Sequence, residues 1–337
     1  MRRRPLRDVF ASASTFAALR DAALRAAKGL RGRPSVAAWL AELEANTLHL
    51  QGELLTGTYQ PGRLQTFRIR DPKPRTIAVA PFRDRVVHHA LCAALEPMFD
   101  RYADADSFAC RRGKGTLRAV RRCQVLARRS PWCLRLDVAH YFESVSHDVL
   151  VALLRRRVAD EAALALIQKL LDAGVGPKGR GLPIGNLTSQ HFGNFLLGAL
   201  DHHAREALRV DGWVRYMDDI CVFGPSKDAL WMVHDGLDRY VREALRLELK
   251  TLATVVAPTS VGVPFLGFRV WPHLVRLGPP ARRRLVRRLR AARREWASAR
   301  DGIAMLGVSS VVAWATQANT LALRRSLMRL DVASDTA

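Results

Sequence analysis

The sequence predicts an α+β fold, an antiparallel sheet backed by helices, and three observations predict it. Residues 213–223, WVRYMDDICVF, place two apolar, β-rich runs on either side of a short acidic tip, which is the pattern of a hairpin. The run CLRLD (133–137) has the character of a buried strand ending on an acid. Around these lie long segments with apolar residues at helical spacing.

In chain order, residues 14–56 read as helical. Pro34-Ser35 opens a segment carrying Val36, Trp39, Leu40, Leu43 and Leu48. Gly57, Pro61, Gly62, Pro72 and Pro74 then punctuate two strand-like runs, LQTFRIR and RTIAVA, which predict a hairpin. A helix starting near Phe82 has Val86, Val87, Ala90, Leu91 and Leu95 on its apolar side, and Arg83 and Arg85 flank Asp84 as its expected partners. Residues 116–129 predict an Arg-rich helix, 132–138 a buried strand and 147–173 helical segments. The Gly/Pro-rich loop GPKGRGLPIGNLTSQ (176–190) leads into an apolar helix. After the acidic hairpin come a helix over 226–246 and short strands through FLGFRVW (265–271). Residues 281–300 carry nine arginines around a narrow stripe of Leu285, Leu289, Ala292 and Trp296. That helix reads either as a solvated surface or as one laid along a phosphate backbone.

With 337 residues, 49% of them hydrophobic, the chain can bury the cores of about two domains. Lys plus Arg number 54 against 31 acids, a net charge of +23 that points to a polyanionic partner, nucleic acid ahead of an anionic membrane surface. The five cysteines (92, 110, 123, 133 and 221) include no C-x-x-C, so neither a zinc site nor a disulfide framework is expected, and a reducing cytoplasm is. MRRRPLRDVF has no apolar run after it to make a signal peptide, and no stretch of 18 apolar residues occurs. His88-His89 and His202-His203 are adjacent on helices, point in different directions, and read as ordinary helix positions.

Adjacent acids at a hairpin tip repel, so Asp218-Asp219 needs solvent or a cation. Alone, the pair is a turn, since Asp favours turns through local hydrogen bonds. A second acid, Asp137, ends the strand CLRLD. Acids on the ends of adjacent strands make a hard-oxygen site suited to Mg²⁺, and two such ions clamp the attacking and leaving oxygens of an in-line phosphoryl displacement.

The ordered series KPRTIAVAPFRDRVVHHAL, SFACRRGKGTLRAV, LRLDVAHYFESVSH, GLPIGNLTSQHFGNFLL, RYMDDICVF and FLGFRVWP resembles the motif series of bacterial reverse transcriptases, over about residues 70–272. The resemblance implies a right-hand polymerase: N-terminal helices and fingers over 1–131, a palm with an antiparallel ferredoxin-like sheet over 132–272, and a basic helical thumb over 273–337. It implies RNA-directed DNA synthesis with two Mg²⁺ ions, Mn²⁺ substituting, held by Asp137, Asp218 and Asp219. Lys250, in LELKT, matches a lysine that protonates leaving pyrophosphate; a surface lysine ending a helix is the other reading. Lys73 and Arg75 match the dNTP site, and a guanidinium can fork two triphosphate oxygens. Phe142 matches the aromatic that blocks a ribose 2′-OH, with Tyr141 the alternative for core packing. Ile184, Gly185 and Gln190 fall at the dNTP loop. Arg111, Arg112 and Lys114, and on the basic helix Arg283, Arg287 and Arg294, are expected along the template and primer.

Two departures point to a subgroup. Ile184 stands where most reverse transcriptases carry a glutamine, and Gln190 where they carry a proline. The wording G-N-L-T-S-Q, with AWATQANTLALRRSL (313–327), resembles the enzymes of diversity-generating retroelements, which copy a template RNA with errors at adenines. An isoleucine offers shape but no hydrogen bond, so discrimination at the templating base is expected to weaken. The chain lacks room for an endonuclease domain, which argues against a complete mobile group II intron protein. The resemblance implies template RNA, a cDNA or primer strand, dNTPs and a small basic accessory protein as partners, and no membrane. Two other readings remain open: a stand-alone or retron-like reverse transcriptase in phage defence, and a non-catalytic RNA-binding protein with a polymerase fold.

Overall fold

The computed structural model describes residues 4–70, 74–298, 312, 313 and 315–328. Four N-terminal helices, α1 (Val9–Ala13), α2 (Phe16–Ala26), α3 (Pro34–Ala41) and α4 (Leu43–Leu55), precede the hairpin of β1 (Gln65–Arg70) and β2 (Pro74–Val79). Pro34 stands at the start of α3, where its missing N–H costs nothing, and Thr15 Oγ1 caps α2 by accepting the Ala18 N–H at 3.2 Å. The hairpin is antiparallel, with Arg75 opposite Ile69, and β1 is exposed along its whole length.

The long helix α5 (Phe82–Tyr102) is followed by α6 (Thr116–Arg129), β3 (Trp132–Leu136), α7 (Tyr141–Ser144), α8 (His147–Arg155), α9 (Glu161–Asp172) and α10 (Leu187–Glu206). Asp84 does not pair with Arg83 or Arg85. It accepts the Tyr59 hydroxyl at 2.8 Å and the Gly62 N–H at 2.7 Å. Arg83 instead pairs with Glu53, and Arg85 donates to the Ala26 carbonyl at 3.1 Å. A buried carboxylate is satisfied by neutral donors that fold over it, and the arginines, on other faces of α5, reach other elements.

The remainder comprises β4 (Gly212–Tyr216), β5 (Asp219–Gly224), α11 (Lys227–Glu243), β6 (Val255–Pro258), β7 (Val263–Phe265), β8 (Phe268–Val270), β9 (Val275–Leu277), α12 (Pro279–Ser298) and α13 (Leu321–Met328). Strands β4-β5-β3-β6 form one antiparallel sheet, and β7-β8-β9 a second.

The first sheet is buried on both faces, which explains why its strands read as nearly continuous apolar runs. Leu134, Leu136, Ile220 and Val222 belong to a large core shared with α2, α5, α9, α10 and α11. Cys133, Val214, Cys221 and Phe223 point the other way, into a second core with α6, β7–β9 and α12. The apolar stripe of α12 enters this second core through Leu285 and Leu289, both essentially inaccessible, while Arg282, Arg283, Arg287, Arg288 and Arg290 stay exposed. The side chains of Ala292, Arg294 and Trp296 lie outside the described residues.

The Ala-Asn-Thr stretch of the tail has a packing role. Asn319 donates its N–H to the Val275 carbonyl (2.8 Å), and its Oδ1 accepts the Val275 N–H (3.2 Å), so it completes the edge of β9. The Thr320 hydroxyl donates to the Ala315 carbonyl at 2.6 Å.

Candidate active site

The site forms where β3 ends beside the β4–β5 turn. Leu136 is paired with Ile220, and Tyr216 with Asp219, leaving Met217 and Asp218 as a two-residue loop. Met217 has φ 53°, as the first position of a tight hairpin turn requires. Asp137 follows directly on β3, so antiparallel register delivers it to the same end of the sheet.

The Asp137 and Asp218 carboxyls are neighbours at this end of the sheet. Burial pushes the Asp218 carboxyl above the usual range, the Asp137 charge adds to this, and the Arg75 guanidinium opposes it. Lys250 joins from the other side. Its N–H donates to the Asp137 carbonyl at 2.8 Å, and its Nζ stands 3.6 Å from Asp137 Oδ2. Asp219 shares the sheet face of Cys221, two residues along β5. Burial first, then Cys221 and Asp218, pushes its carboxyl up to about 7.

Among the described residues no group of three or more His, Cys, Asp or Glu side chains is arranged to hold a metal ion. Asp219 stands next to the pair of Asp137 and Asp218, and both of these add to the upward push on its carboxyl. Asp137 and Asp218, two neighbouring and partly exposed carboxylates with their repulsion only partly offset by Lys250 and Arg75, fit a hard divalent cation completed by water or phosphate oxygens.

Around this pair the expected nucleotide residues are distributed as follows. Tyr141 takes the core-packing role: it is 3% exposed and its hydroxyl donates to the Gly193 carbonyl. Phe142 is left half-buried beside it, with ring centroids 5.4 Å apart. The Ile184 carbonyl accepts the Ala78 N–H at 2.7 Å, tying the loop to β2 of the hairpin that carries Arg75. Gly185, at φ 119°, makes that approach possible, since a Cβ there would lie 2.8 Å from the Ala78 carbonyl oxygen. Gln190 is exposed on α10, and its Oε1 lies 3.8 Å from Cys110 Sγ. Lys73 lies outside the described residues.

The expected template-side cations divide. Arg111 spends its guanidinium internally, on Asp100 Oδ1 (3.3 Å) and the carbonyls of Asp104 (2.7 Å), Ser107 (3.0 Å) and Asp100 (3.2 Å). Lys114 donates to the Ala105 carbonyl at 2.6 Å and lies 4.9 Å from the Phe108 ring centre. Both therefore organise the 104–115 loop, supplying donors to carbonyls that no strand or helix partner satisfies. Arg112, its side chain 84% exposed beside Glu96, presents its charge outward, as do Arg283 and Arg287 on α12. For Arg294 only the position in α12 is described.

Sequence reading missed the support beneath the acids. Arg215 and Asp201 form a fully buried bidentate pair, Nε–Oδ1 2.6 Å and Nη2–Oδ2 2.5 Å. The Trp213 indole also donates to Asp201 at 2.9 Å. Arg215 Nη1 donates to Asn194 Oδ1 (2.8 Å) and to the Met217 carbonyl (3.2 Å), the residue before Asp218. A further set of ion pairs, Arg205 with Asp104 and Asp106 and Arg122 with Asp106, braces the same region. The available signal was a charge inside an apolar run: Arg215 in WVRYM and Asp201 in FLLGALD.

Several known proteins resemble this chain. Residues 69–270 match the family described as "Reverse transcriptase (RNA-dependent DNA polymerase)". The protein YkfC of Escherichia coli is 25% identical over 277 residues, covering 68% of this chain and 72% of that protein. Nuclear intron maturase 4, mitochondrial, of Arabidopsis thaliana is 26% identical over 159 residues, covering 44% of this chain and 20% of the maturase, so the chain spans about a fifth of that relative. Among solved structures, telomerase from Candida albicans in complex with a telomeric RNA fragment aligns with a TM-score of 0.47 at 13% identity, over 69% of this chain and 49% of that one.

Proposed function

Because the chain belongs to the reverse transcriptase (RNA-dependent DNA polymerase) family, we propose that it extends a primer by copying an RNA template into DNA at Asp137 and Asp218. The observation that carries this is the convergence of those two acids at one end of the sheet, delivered by strands from distant parts of the chain. Reverse transcriptases generally use divalent metal ions. Asp137 and Asp218 are the residues that would hold Mg²⁺ or Mn²⁺ here, and such ions supply charge stabilisation to a transferring phosphoryl group. Arg75, facing Asp218 from β2, binds the triphosphate. Lys250 Nζ, beside Asp137, holds the proton that leaving pyrophosphate takes up. Primer extension on RNA with each divalent ion, offering dNTPs or rNTPs, tests the reading; no DNA product under any of these conditions would overturn it.

Phe142 acts as the sugar gate, since Tyr141 occupies the core position and leaves the Phe142 ring half-exposed. Phe142→Ala is expected to raise the preference for rNTPs, measured as the ratio of kcat/KM values, by about tenfold or more, the scale of removing one steric barrier.

The finer reading is error-prone synthesis in a diversity-generating retroelement, with a small basic accessory protein as partner. It is supported by Ile184 at the nucleotide loop and by the Ala-Asn-Thr tail. Ile184→Gln restores an amide worth about 0.5–1.5 kcal/mol, so errors at template adenines should fall about two- to tenfold. Sequencing the cDNA of both proteins checks this, and equal error spectra would remove the idea. Relatives whose names mark them as intron maturases favour a second reading, action on intron RNA. Purifying the chain with its bound cellular RNA separates the two.

A further inference from the structure

The sheet β7–β8–β9 buries one face and exposes the other. Phe268, Val270, Val275 and Leu277 point into the second core. The alternating residues Pro264, Arg269 and Arg276 form a row across the outer face, each opposite the next in register. Two arginines directly across from each other on adjacent strands repel. Among the described residues neither forms an ion pair; Arg269 donates only to the Val261 carbonyl, at 3.0 Å.

Trp271 lies two residues beyond Arg269 on the same face and is half-buried. Arg269 and Arg276 stand 5.6 and 5.9 Å from the centre of its ring. The ring rests on Gly262, whose φ is 83° and where a Cβ would lie 2.5 Å from Trp271 Cε2, so the backbone is shaped to seat the indole. Arg128, from α6, adds a further exposed cation by donating to the Pro272 carbonyl at 2.6 Å. The cluster sits away from the acids. Gln124 and Arg128 reach it from the C-terminal half of α6, which leads to the start of β3, and the five residues of β3 separate that point from Asp137 by about 17 Å.

We propose that this outer face binds single-stranded RNA outside the polymerisation site, with a base stacked on Trp271 and phosphates met by Arg269 and Arg276. Every base has a π-face, so stacking on an indole is tolerant of sequence, and guanidinium groups fork phosphate oxygens. Unpaired like charges on a chain of net charge +23 select a polyanion over a protein partner. The choice of RNA rests on the polymerase reading above; the binding does not require catalysis.

The test measures equilibrium binding of the full chain, without dNTPs, to a blunt primer–template and to the same duplex carrying an oligouridylate extension. The extension should tighten binding to wild type, and Trp271→Ala should reduce that gain by about fivefold or more, with Trp271→Phe keeping most of it. The pair Arg269→Gln and Arg276→Gln should flatten the salt dependence of the gain by about 0.7 in log–log slope for each phosphate no longer neutralised. Primer extension on a primer–template with a short templating overhang and no oligouridylate should be unchanged in all variants, which separates this outcome from failure of the polymerase reading. An extension gain and salt slope equal to wild type would overturn the proposal. If Trp271→Ala does not fold, the slope of Arg276→Gln, on an exposed side chain, decides.

Discussion

Asp218→Asn is expected to lower deoxynucleotide incorporation by about a thousandfold or more while leaving the melting temperature at or slightly above that of wild type. The activity loss follows from the several kcal/mol that a bound divalent ion contributes to phosphoryl transfer. An amide in place of the carboxylate leaves Asp137 without the second acid of the pair. The unchanged fold follows from position. Asp218 occupies the second place of a two-residue loop, outside both cores, and its carboxyl lies against a like-charged neighbour. Removing that repulsion relaxes the native state. Primer extension and thermal denaturation on one preparation check both halves, and an active Asp218→Asn protein would sink the assignment.

Arg215→Met is expected to act first on stability, with a loss of about 3–5 kcal/mol, the range for breaking a buried ion pair from one side. Burial pushes the Asp201 carboxyl up, and the Arg215 guanidinium is the main group opposing this. Without it, Asp201 and Asn194 Oδ1 are left buried with donors missing. Adding Asp201→Leu should recover part of the loss, because an apolar pair of similar volume suits the site better than an orphaned carboxylate. Activity of the single variant should fall too, since Arg215 Nη1 holds the Met217 carbonyl beside Asp218. Urea denaturation of the two single variants and the double gives the coupling between them. Stability of Arg215→Met equal to wild type would show that the pair does not support the turn.

Much of this architecture was legible locally. Alternation and punctuation marked the 65–79 hairpin, helical spacing bounded α6, and Pro34 marked the start of α3. The acids at the end of β3 and at the β4–β5 turn were legible only together, because an acid pair that alone reads as a turn gains meaning from a second acid closing an apolar strand. Roles carried by one side chain at a distance were less so. Arg111 looked like a template contact because glycines and cations follow it, yet two carbonyls of its own loop and two oxygens of Asp100 at the end of α5 claim it. Asp84 sits between two arginines in sequence and bonds to neither, because helix geometry sends neighbours in different directions.

By itself the sequence determined the elements, the order of the acids along them and the cationic character of the surface, since each follows from the side-chain period and composition of a short window. Tertiary structure alone decided which charges meet. Asp137 reaches Asp218 and Lys250 only because β3 lies between β5 and β6 in antiparallel register. Register in the second sheet sets Arg269 opposite Arg276. Arg215 and Asp201 find each other across two packed elements, and Asn319 closes the edge of β9 from 44 residues away. Such contacts are fixed by strand pairing and by the need to satisfy every buried polar group, and these conditions exist only once the chain has folded.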